Sequence, residues 1–135
     1  MNKINGIAII DDDPITTFGL KKLLSFTSEE STSIEDYING KIAIDNFTEK
    51  VNKNQLLPEV IFLDINMPIM DGWEFLKAFL RLPITQKIRV NIVTSSIDPY
   101  DINQFEFYSQ NTQHTITFNQ KPITRAKMES ITKVA

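Results

Sequence analysis

Short apolar runs alternate along this chain with segments in which apolar residues recur every three or four positions. The runs predict strands at residues 7–10, 60–63, 90–94 and 115–118, and the half-alternating segment 33–37 is a candidate for a fifth strand. The segments between and after them predict five helices, whose apolar faces carry Leu20, Leu23 and Leu24; Ile44, Phe47 and Val51; Phe75, Leu76 and Phe79; Ile102 and Phe105; and Met128, Ile131 and Val134. Strands and helices that alternate in this way form a parallel sheet with helices on both faces.

Asp, Pro and Gly residues predict where several helices and turns begin. Asp13 precedes Pro14, so we expect Asp13 to cap the first helix and Pro14 to occupy its first turn. Asn39-Gly40 is a turn signal ahead of the second helix. Pro122 is predicted to open the last helix.

Aspartate residues directly follow two of the apolar runs, and this is the first indication of a functional site. The run at 7–10 leads into Asp11, Asp12 and Asp13, and the run at 60–63 leads into Asp64. Continuous β-branched runs are typical of strands buried on both faces of a parallel sheet. The C-terminal ends of such strands meet at one edge, where open α/β sheets build their sites. Carboxylates crowded there repel one another unless they bind a cation or take up a proton, so the pattern predicts a metal site.

The two remaining long strands end in a hydroxyl and an ammonium group. Thr94 is the last residue of the fourth predicted strand, and Lys121 lies three residues after the fifth. Carboxylates, a carbonyl and water are the ligands that Mg²⁺ prefers. A lysine and a hydroxyl beside them can hold the oxygens of a phosphoryl group, and a carboxylate can act as its acceptor.

Composition narrows the class of protein. The chain has 135 residues, of which 41% are hydrophobic and 23% are charged, and this length fits one domain. A net charge of -3 gives no electrostatic reason to bind nucleic acid or an anionic membrane. The absence of cysteine excludes disulfides and thiolate metal sites. No signal-peptide core or spanning apolar stretch is present, so we expect a cytoplasmic protein.

Four motifs occur in order along the chain: Asp11-Asp12, the string Asp64-Ile65-Asn66-Met67-Pro68-Ile69-Met70-Asp71-Gly72, Thr94, and Lys121-Pro122. Together they resemble the receiver domain of two-component response regulators, and the resemblance covers the whole chain. It implies a three-layer, doubly wound, flavodoxin-like α/β fold with a five-stranded parallel sheet in the order 2-1-3-4-5. Residues 1–135 would then form a single receiver domain without an output domain.

The resemblance also implies a phosphoacceptor and a metal site. Asp64 would accept the phosphoryl group and help bind the metal. Asp12 would bind Mg²⁺ directly, with Mn²⁺ as a substitute, and Asp11 would act mainly through a bound water. The backbone carbonyl of Asn66 would supply a further ligand.

The switch residues follow from the same resemblance. Thr94 would bond to a phosphoryl oxygen after modification, and Lys121 would neutralise another. Phe118 matches the aromatic residue that turns inward as the threonine moves. The side chains of Asn66 and Ser96 would tune the lifetime of the aspartyl phosphate.

A protein of this kind would receive its phosphoryl group from a sensor histidine kinase or a histidine phosphotransfer protein. The surface formed by the fourth helix, the fifth strand and the fifth helix would then change shape. The signal would pass by protein contact or onward phosphotransfer to an unknown target. We expect no nucleic acid or membrane partner, a monomer or weak dimer, and no enzymatic activity beyond self-phosphorylation and dephosphorylation.

Two other functions remain open from the residues. A receiver-like scaffold could act without phosphorylation, although such proteins usually lack one of the required residues. A phosphatase of the haloacid-dehalogenase type also forms an aspartyl phosphate. That chemistry needs a second carboxylate two residues after the nucleophile, and Asn66 occupies that position.

Several other residues have simpler interpretations. His114 is the only histidine, and with no metal-ligand spacing around it we expect it at the surface. Trp73 follows Asp71-Gly72 at a helix start and is predicted to pack in the core. Tyr100, Phe107 and Tyr108 near the fourth helix are candidate partner contacts, with burial an equal alternative for at least one of them.

Overall fold

A computed structural model describes residues 4–27, 29, 31–95 and 98–135 of the chain. Its strands are β1 (Gly6–Ile10), β2 (Ser33–Tyr37), β3 (Val60–Leu63), β4 (Arg89–Thr94) and β5 (Thr115–Gln120). All neighbouring strands pair in parallel, and the order is β2-β1-β3-β4-β5. The predicted doubly wound α/β fold and its strand order are therefore confirmed.

Five helices complete the outer layers: α1 (Pro14–Leu24), α2 (Gly40–Asn52), α3 (Gly72–Phe79), α4 (Pro99–Gln110) and α5 (Arg125–Ile131). The longest has 13 residues. Among the described residues, no helix combines the length and apolar character needed to cross a bilayer.

The central strands are buried on both faces because their side chains alternate between two apolar layers. Ile7 and Ile9 of β1 pack with residues of α1 and α5, including Leu20 and Met128. Ala8 and Ile10 belong to the opposite layer, with residues of α2 and α3, including Phe47, Phe75, Leu76 and Phe79. Every residue of Ile7–Ile10 is 0% exposed. This two-sided burial explains the continuous apolar run and fixes where the strand ends.

Caps set the helix boundaries. Asp13 caps α1, because its Oδ1 accepts the Ile15 N–H at 3.0 Å. The Asn39-Gly40 pair forms a helix start rather than a free turn, since Asn39 Oδ1 accepts the Ile42 N–H at 2.9 Å.

The prediction that Pro122 opens the last helix is wrong. Thr124 caps α5, and its Oγ1 accepts the Lys127 N–H at 3.1 Å. A threonine hydroxyl satisfies a backbone donor at the helix start, so the helix begins after Thr124 and Pro122 remains in the connection. Val134 lies beyond the end of the helix at Ile131.

The prediction that His114 lies at the surface is also wrong. Its side chain is buried, and Nδ1 accepts the Ile88 N–H at 3.0 Å. The ring packs against Phe79 with 5.3 Å between ring centroids. His114 therefore satisfies a buried backbone donor just before β4, which is a structural role.

We predict that protonation of His114 destabilises the fold. Burial lowers the pKa of His114 below its ordinary 6.5, and Nδ1 must stay unprotonated to accept its hydrogen bond. The unfolded chain therefore binds the proton more readily, and His114's contribution to stability is lost as the pH falls below 6.5. Urea unfolding between pH 7.5 and 5.5 should compare the wild type with His114→Asn, which retains an acceptor oxygen.

The unfolding free energy of the wild type should fall relative to that of the variant, with a slope of at most about 1.4 kcal/mol per pH unit. Parallel curves for the two proteins would contradict a neutral, buried His114.

Candidate functional site

The C-terminal ends of the strands bring the predicted site residues to one edge of the sheet. Asp11 follows β1, Asp64 follows β3, and Lys121 follows β5. Backbone hydrogen bonds continue across the strand ends at this edge: the Asp64 N–H donates to Ile10 at 2.9 Å, and the Lys121 N–H donates to Thr94 at 2.8 Å. The parallel pairing therefore holds the backbone of each functional residue against its neighbouring strand.

Three carboxylates form a compact acidic cluster. Each of Asp11, Asp12 and Asp64 offers an oxygen that lies within 4.8 Å of those of the other two. Asp11 and Asp64 are buried, and Asp12 is exposed. The cluster has the donor atoms and the open side that a hard, partly hydrated cation needs.

Lys121 is the cation that faces this cluster among the described residues. Its Nζ lies 3.4 Å from Asp11 Oδ2 and 3.7 Å from Asp64 Oδ1. One ammonium group against three carboxylates leaves a net negative site. The residual charge is the electrostatic reason to expect a divalent ion here.

Burial and mutual repulsion disturb the ionisation of the two buried acids. Burial, followed by the neighbouring charge of Asp11, raises the pKa of Asp64 from 3.8 to about 6. Burial also raises the pKa of Asp11, while the hydrogen bond from the Asp13 N–H and the charge of Lys121 act against that increase. Strongly perturbed carboxylates of this kind cluster at functional sites.

Asp13 is adjacent to Asp12 in the sequence but does not belong to the cluster of three carboxylates. Its Oδ2 accepts the Thr16 hydroxyl at 2.9 Å, and its Oδ1 caps α1. The prediction that Asp13 is a helix cap is confirmed, which separates it from Asp11 and Asp12.

The connection between β3 and α3 folds tightly over the phosphoacceptor candidate. The Gly72 N–H donates to the Ile65 carbonyl at 2.8 Å. A Cβ atom at Gly72 would lie 2.5 Å from the Asp64 carbonyl oxygen, so the close approach requires glycine. Asn66 is exposed in this connection, and Ile69 adopts a left-handed φ of 72°.

The remaining predicted residues occupy separate positions around the edge. Thr94 is fully buried at the end of β4. Phe118 is half-buried on β5 and packs against Phe105 of α4 with 5.5 Å between ring centroids. Ser96 lies outside the described residues.

The candidate contact aromatics differ in exposure. Tyr100 and Phe107 of α4 are 61% and 58% exposed. Tyr108 is half-buried because it stacks on Trp73, which is itself buried as predicted.

An apolar cavity beside the acidic cluster was not predicted from the sequence. It has a volume of about 710 Å³, and Asp11 and Asp12 are among its lining residues. Phe18, Ile38 and Ile69 also line it, and each is more than half exposed. These residues come from three separate connections or helix faces, so periodicity could not group them. The sequence carries no separate signal for them, because other apolar residues lie next to or near each of the three.

Comparison with known proteins gives the family. The family model for the response regulator receiver domain matches residues 7–132, and the chain belongs to this family. A response regulatory protein of Vibrio cholerae is 29% identical over 130 residues, which cover 96% of this chain and 44% of that protein. The protein-glutamate methylesterase/protein-glutamine glutaminase of Methanococcoides burtonii is 30% identical, with 93% of this chain and 34% of that protein covered.

A solved structure shows the same fold. The crystal structure of a two-component response regulator from Cytophaga hutchinsonii has a TM-score of 0.78 and 29% sequence identity. The likeness covers 96% of this chain and 95% of that one. The chain spans less than half the length of both relatives from Vibrio cholerae and Methanococcoides burtonii.

We predict that removing the Asp64 charge stabilises the metal-free protein. Its folded-state pKa of about 6 lies above the unfolded value of 3.8, so the folded protein holds the proton more tightly. The stability associated with that proton is full below pH 4 and is lost as the pH rises through 6. At pH 7.5, Asp64→Asn should therefore raise the free energy of unfolding by about 1–3 kcal/mol, measured with urea in the presence of a chelator.

The difference between the two proteins should shrink towards pH 4.5. Asp13→Asn is the matched control, since Asp13 is an exposed cap and should show no such gain. A variant Asp64→Asn that is less stable than the wild type at pH 7.5 would argue against an unfavourable buried charge.

Proposed function

We propose that this chain is a phosphoacceptor receiver that takes a phosphoryl group on Asp64. The observation that carries the proposal is the position of Asp64 between Asp11 and Lys121, within the cluster of three carboxylates. Family membership supports the same class of function. Residues 1–135 make up one receiver domain in this proposal.

The acidic cluster fits a divalent ion. Receiver domains bind Mg²⁺ through an aspartate cluster, and Asp11, Asp12 and Asp64 have the geometry and excess negative charge for it. In our proposal the backbone carbonyl of Asn66 completes the protein ligands, and Mn²⁺ can replace Mg²⁺. When bound, the ion supplies charge neutralisation for the phosphoryl oxygens and for the carboxylates themselves.

The transfer step needs little covalent chemistry from the protein. A carboxylate oxygen of Asp64 attacks the phosphorus of a phosphohistidine, the new O–P bond forms, and the P–N bond breaks. The imidazole leaves and takes up a proton from solvent. Lys121, whose Nζ lies near Asp64 Oδ1, neutralises charge on the transferred group, so catalysis is mainly positioning and electrostatics.

The phosphoryl group then biases a conformational equilibrium. Thr94 is proposed to bond to a phosphoryl oxygen, and Phe118 to turn inward against the space that the threonine vacates. Phe118 already contacts Phe105 of α4, so a movement of Phe118 would displace that helix directly. Asn66 and Ser96 are proposed to control how water reaches the aspartyl phosphate.

The partners are proposed by class. Receiver domains interact with kinases and other proteins, and we propose a sensor histidine kinase or a histidine phosphotransfer protein as the donor. The receiver signals through the surface of α4, β5 and α5 in the cytoplasm, as a monomer or weak dimer. We propose no enzymatic role beyond gain and loss of its own phosphoryl group.

Incubation with acetyl phosphate and Mg²⁺ tests the proposal. Intact-protein mass spectrometry should detect one added phosphoryl group that is stable to acid and labile to base. Asp64→Asn should take up none, because an amide cannot form the acyl phosphate. Chelation of the metal should reduce labelling of the wild type strongly.

Asp71→Asn serves as the control variant, since Asp71 is a nearby aspartate that caps α3. Equal labelling of wild type and Asp64→Asn would show that Asp64 is not the acceptor. Sustained turnover of a phosphate ester would instead favour a hydrolase.

A further inference from the structure

Helix α4 is attached to the rest of the protein in an unusual way. Asp101 is the one buried residue of α4, a helix whose residues are all described. By contrast, Gly72, Trp73, Phe75, Leu76 and Phe79 are all buried in the shorter α3. The apolar side chains of α4 that pack against the core, Phe105 and Tyr108, are only partly buried, so less hydrophobic energy holds α4 than holds α3.

The partner of Asp101 lies on α3. Trp73 Nε1 donates a hydrogen bond to Asp101 Oδ1 at 2.8 Å, and both side chains are buried. Two turns further along α4, Tyr108 stacks on the Trp73 ring with 6.1 Å between centroids and 14° between planes. One tryptophan of α3 therefore contacts α4 at two points.

Trp73 is also joined to the phosphoacceptor through the backbone. The N–H of the preceding residue, Gly72, donates a hydrogen bond to the Ile65 carbonyl. Gly72 also lies so close to the Asp64 carbonyl oxygen that there is no space for a Cβ atom. The backbone around Asp64 cannot shift without moving the start of α3. Movement there is transmitted to the Trp73 ring, because Trp73 is the next residue.

We propose that the Trp73–Asp101 hydrogen bond holds α4 against α3 in the unphosphorylated protein and is weakened when Asp64 is modified. It forms a second connection from Asp64 to α4, separate from the one through Thr94 and Phe118. The inference rests on the proposed function, since it assigns Trp73 and Asp101 as positioning residues for the switch.

The proposal has a thermodynamic consequence that a merely structural bond would not have. If the bond forms preferentially in the unmodified state, modification of Asp64 carries the free-energy cost of weakening that bond. By linkage, removal of the bond should then strengthen binding of a phosphoryl mimic. A bond that is equally present in both states would change overall stability and leave that affinity unchanged.

The test measures beryllofluoride binding in the presence of Mg²⁺ by ¹⁹F NMR, a readout that does not depend on the tryptophan. Wild type is compared with Asp101→Ala, which removes the acceptor, and with Trp73→Phe, which removes the donor and retains an aromatic ring against Tyr108. Both variants should be half-saturated at a roughly tenfold lower concentration than the wild type. Their α4 amides should also exchange with deuterium faster in the absence of beryllofluoride.

Two controls separate this effect from general destabilisation. Asp101→Asn retains an oxygen that can accept the indole N–H, so its half-saturation should stay close to that of the wild type. Asn103→Ala, on the exposed part of the same helix, should also behave like the wild type. The fluorescence of Trp73, the only tryptophan, should change when the wild type binds beryllofluoride.

The outcomes distinguish the two proposals. Wild type that binds beryllofluoride, with Asp101→Ala and Trp73→Phe binding no more tightly, would overturn the role of the bond and leave Asp64 as phosphoacceptor. Should Asp101→Ala fail to fold, the comparison of Trp73→Phe with the wild type decides the question. Wild type that does not bind beryllofluoride would overturn both proposals.

Discussion

The structure depends on an electrostatic imbalance at the C-terminal edge of its sheet. Asp11, Asp12 and Asp64 converge within 4.8 Å, and Lys121 is the cation that faces them in the described part of the chain. The apolar packing of β1 and β3 enforces this convergence, because neither strand can shift without exposing core residues. The fold thus holds together like charges that would separate in a flexible chain, which is the electrostatic basis for the proposed cation site.

The same imbalance supports our proposal that phosphorylation of Asp64 changes the conformation of the protein. In that proposal a divalent ion and Lys121 together balance the three carboxylates, so an added phosphoryl group again leaves excess negative charge. The nearest elements that can respond are the tight connection from Asp64 to α3 and the end of β4. Both lead to α4, whose only buried residue is Asp101. A weakly held helix next to a site of changing charge is a suitable element for a two-state switch.

Patterns that depend on local sequence were predicted well. Apolar runs and the residues at their ends predicted the bounds of β3, the cap at Asp13 and the convergence of Asp11, Asp12 and Asp64. The half-alternating pattern at 33–37 predicted the bounds of β2. The strand order followed only from the resemblance to receiver domains, because the alternation of elements does not specify which strands are neighbours.

The predictions that failed have two different causes, a partner distant in sequence for His114 and a competing local cap for Pro122. His114 was predicted at the surface because its hydrogen-bond partner, the Ile88 N–H, lies 26 residues away in the sequence. The bond from Trp73 to Asp101, which spans 28 residues, was not predicted from the sequence at all. Pro122 could have begun a helix, but the cap two residues later at Thr124 determined where α5 starts. Periodicity cannot reveal the pairings of His114 with Ile88 and of Asp101 with Trp73, since they depend on how separate elements pack.

The most direct test of the central claim is a calorimetric titration of Mg²⁺ into the protein at pH 7.5. The wild type should bind one ion, and the paired substitution Asp11→Asn and Asp12→Asn should abolish the binding. Asp13→Asn should bind like the wild type, because Asp13 caps α1. Failure of the wild type to bind Mg²⁺, or undiminished binding by the doubly substituted protein, would contradict the account of the acidic cluster.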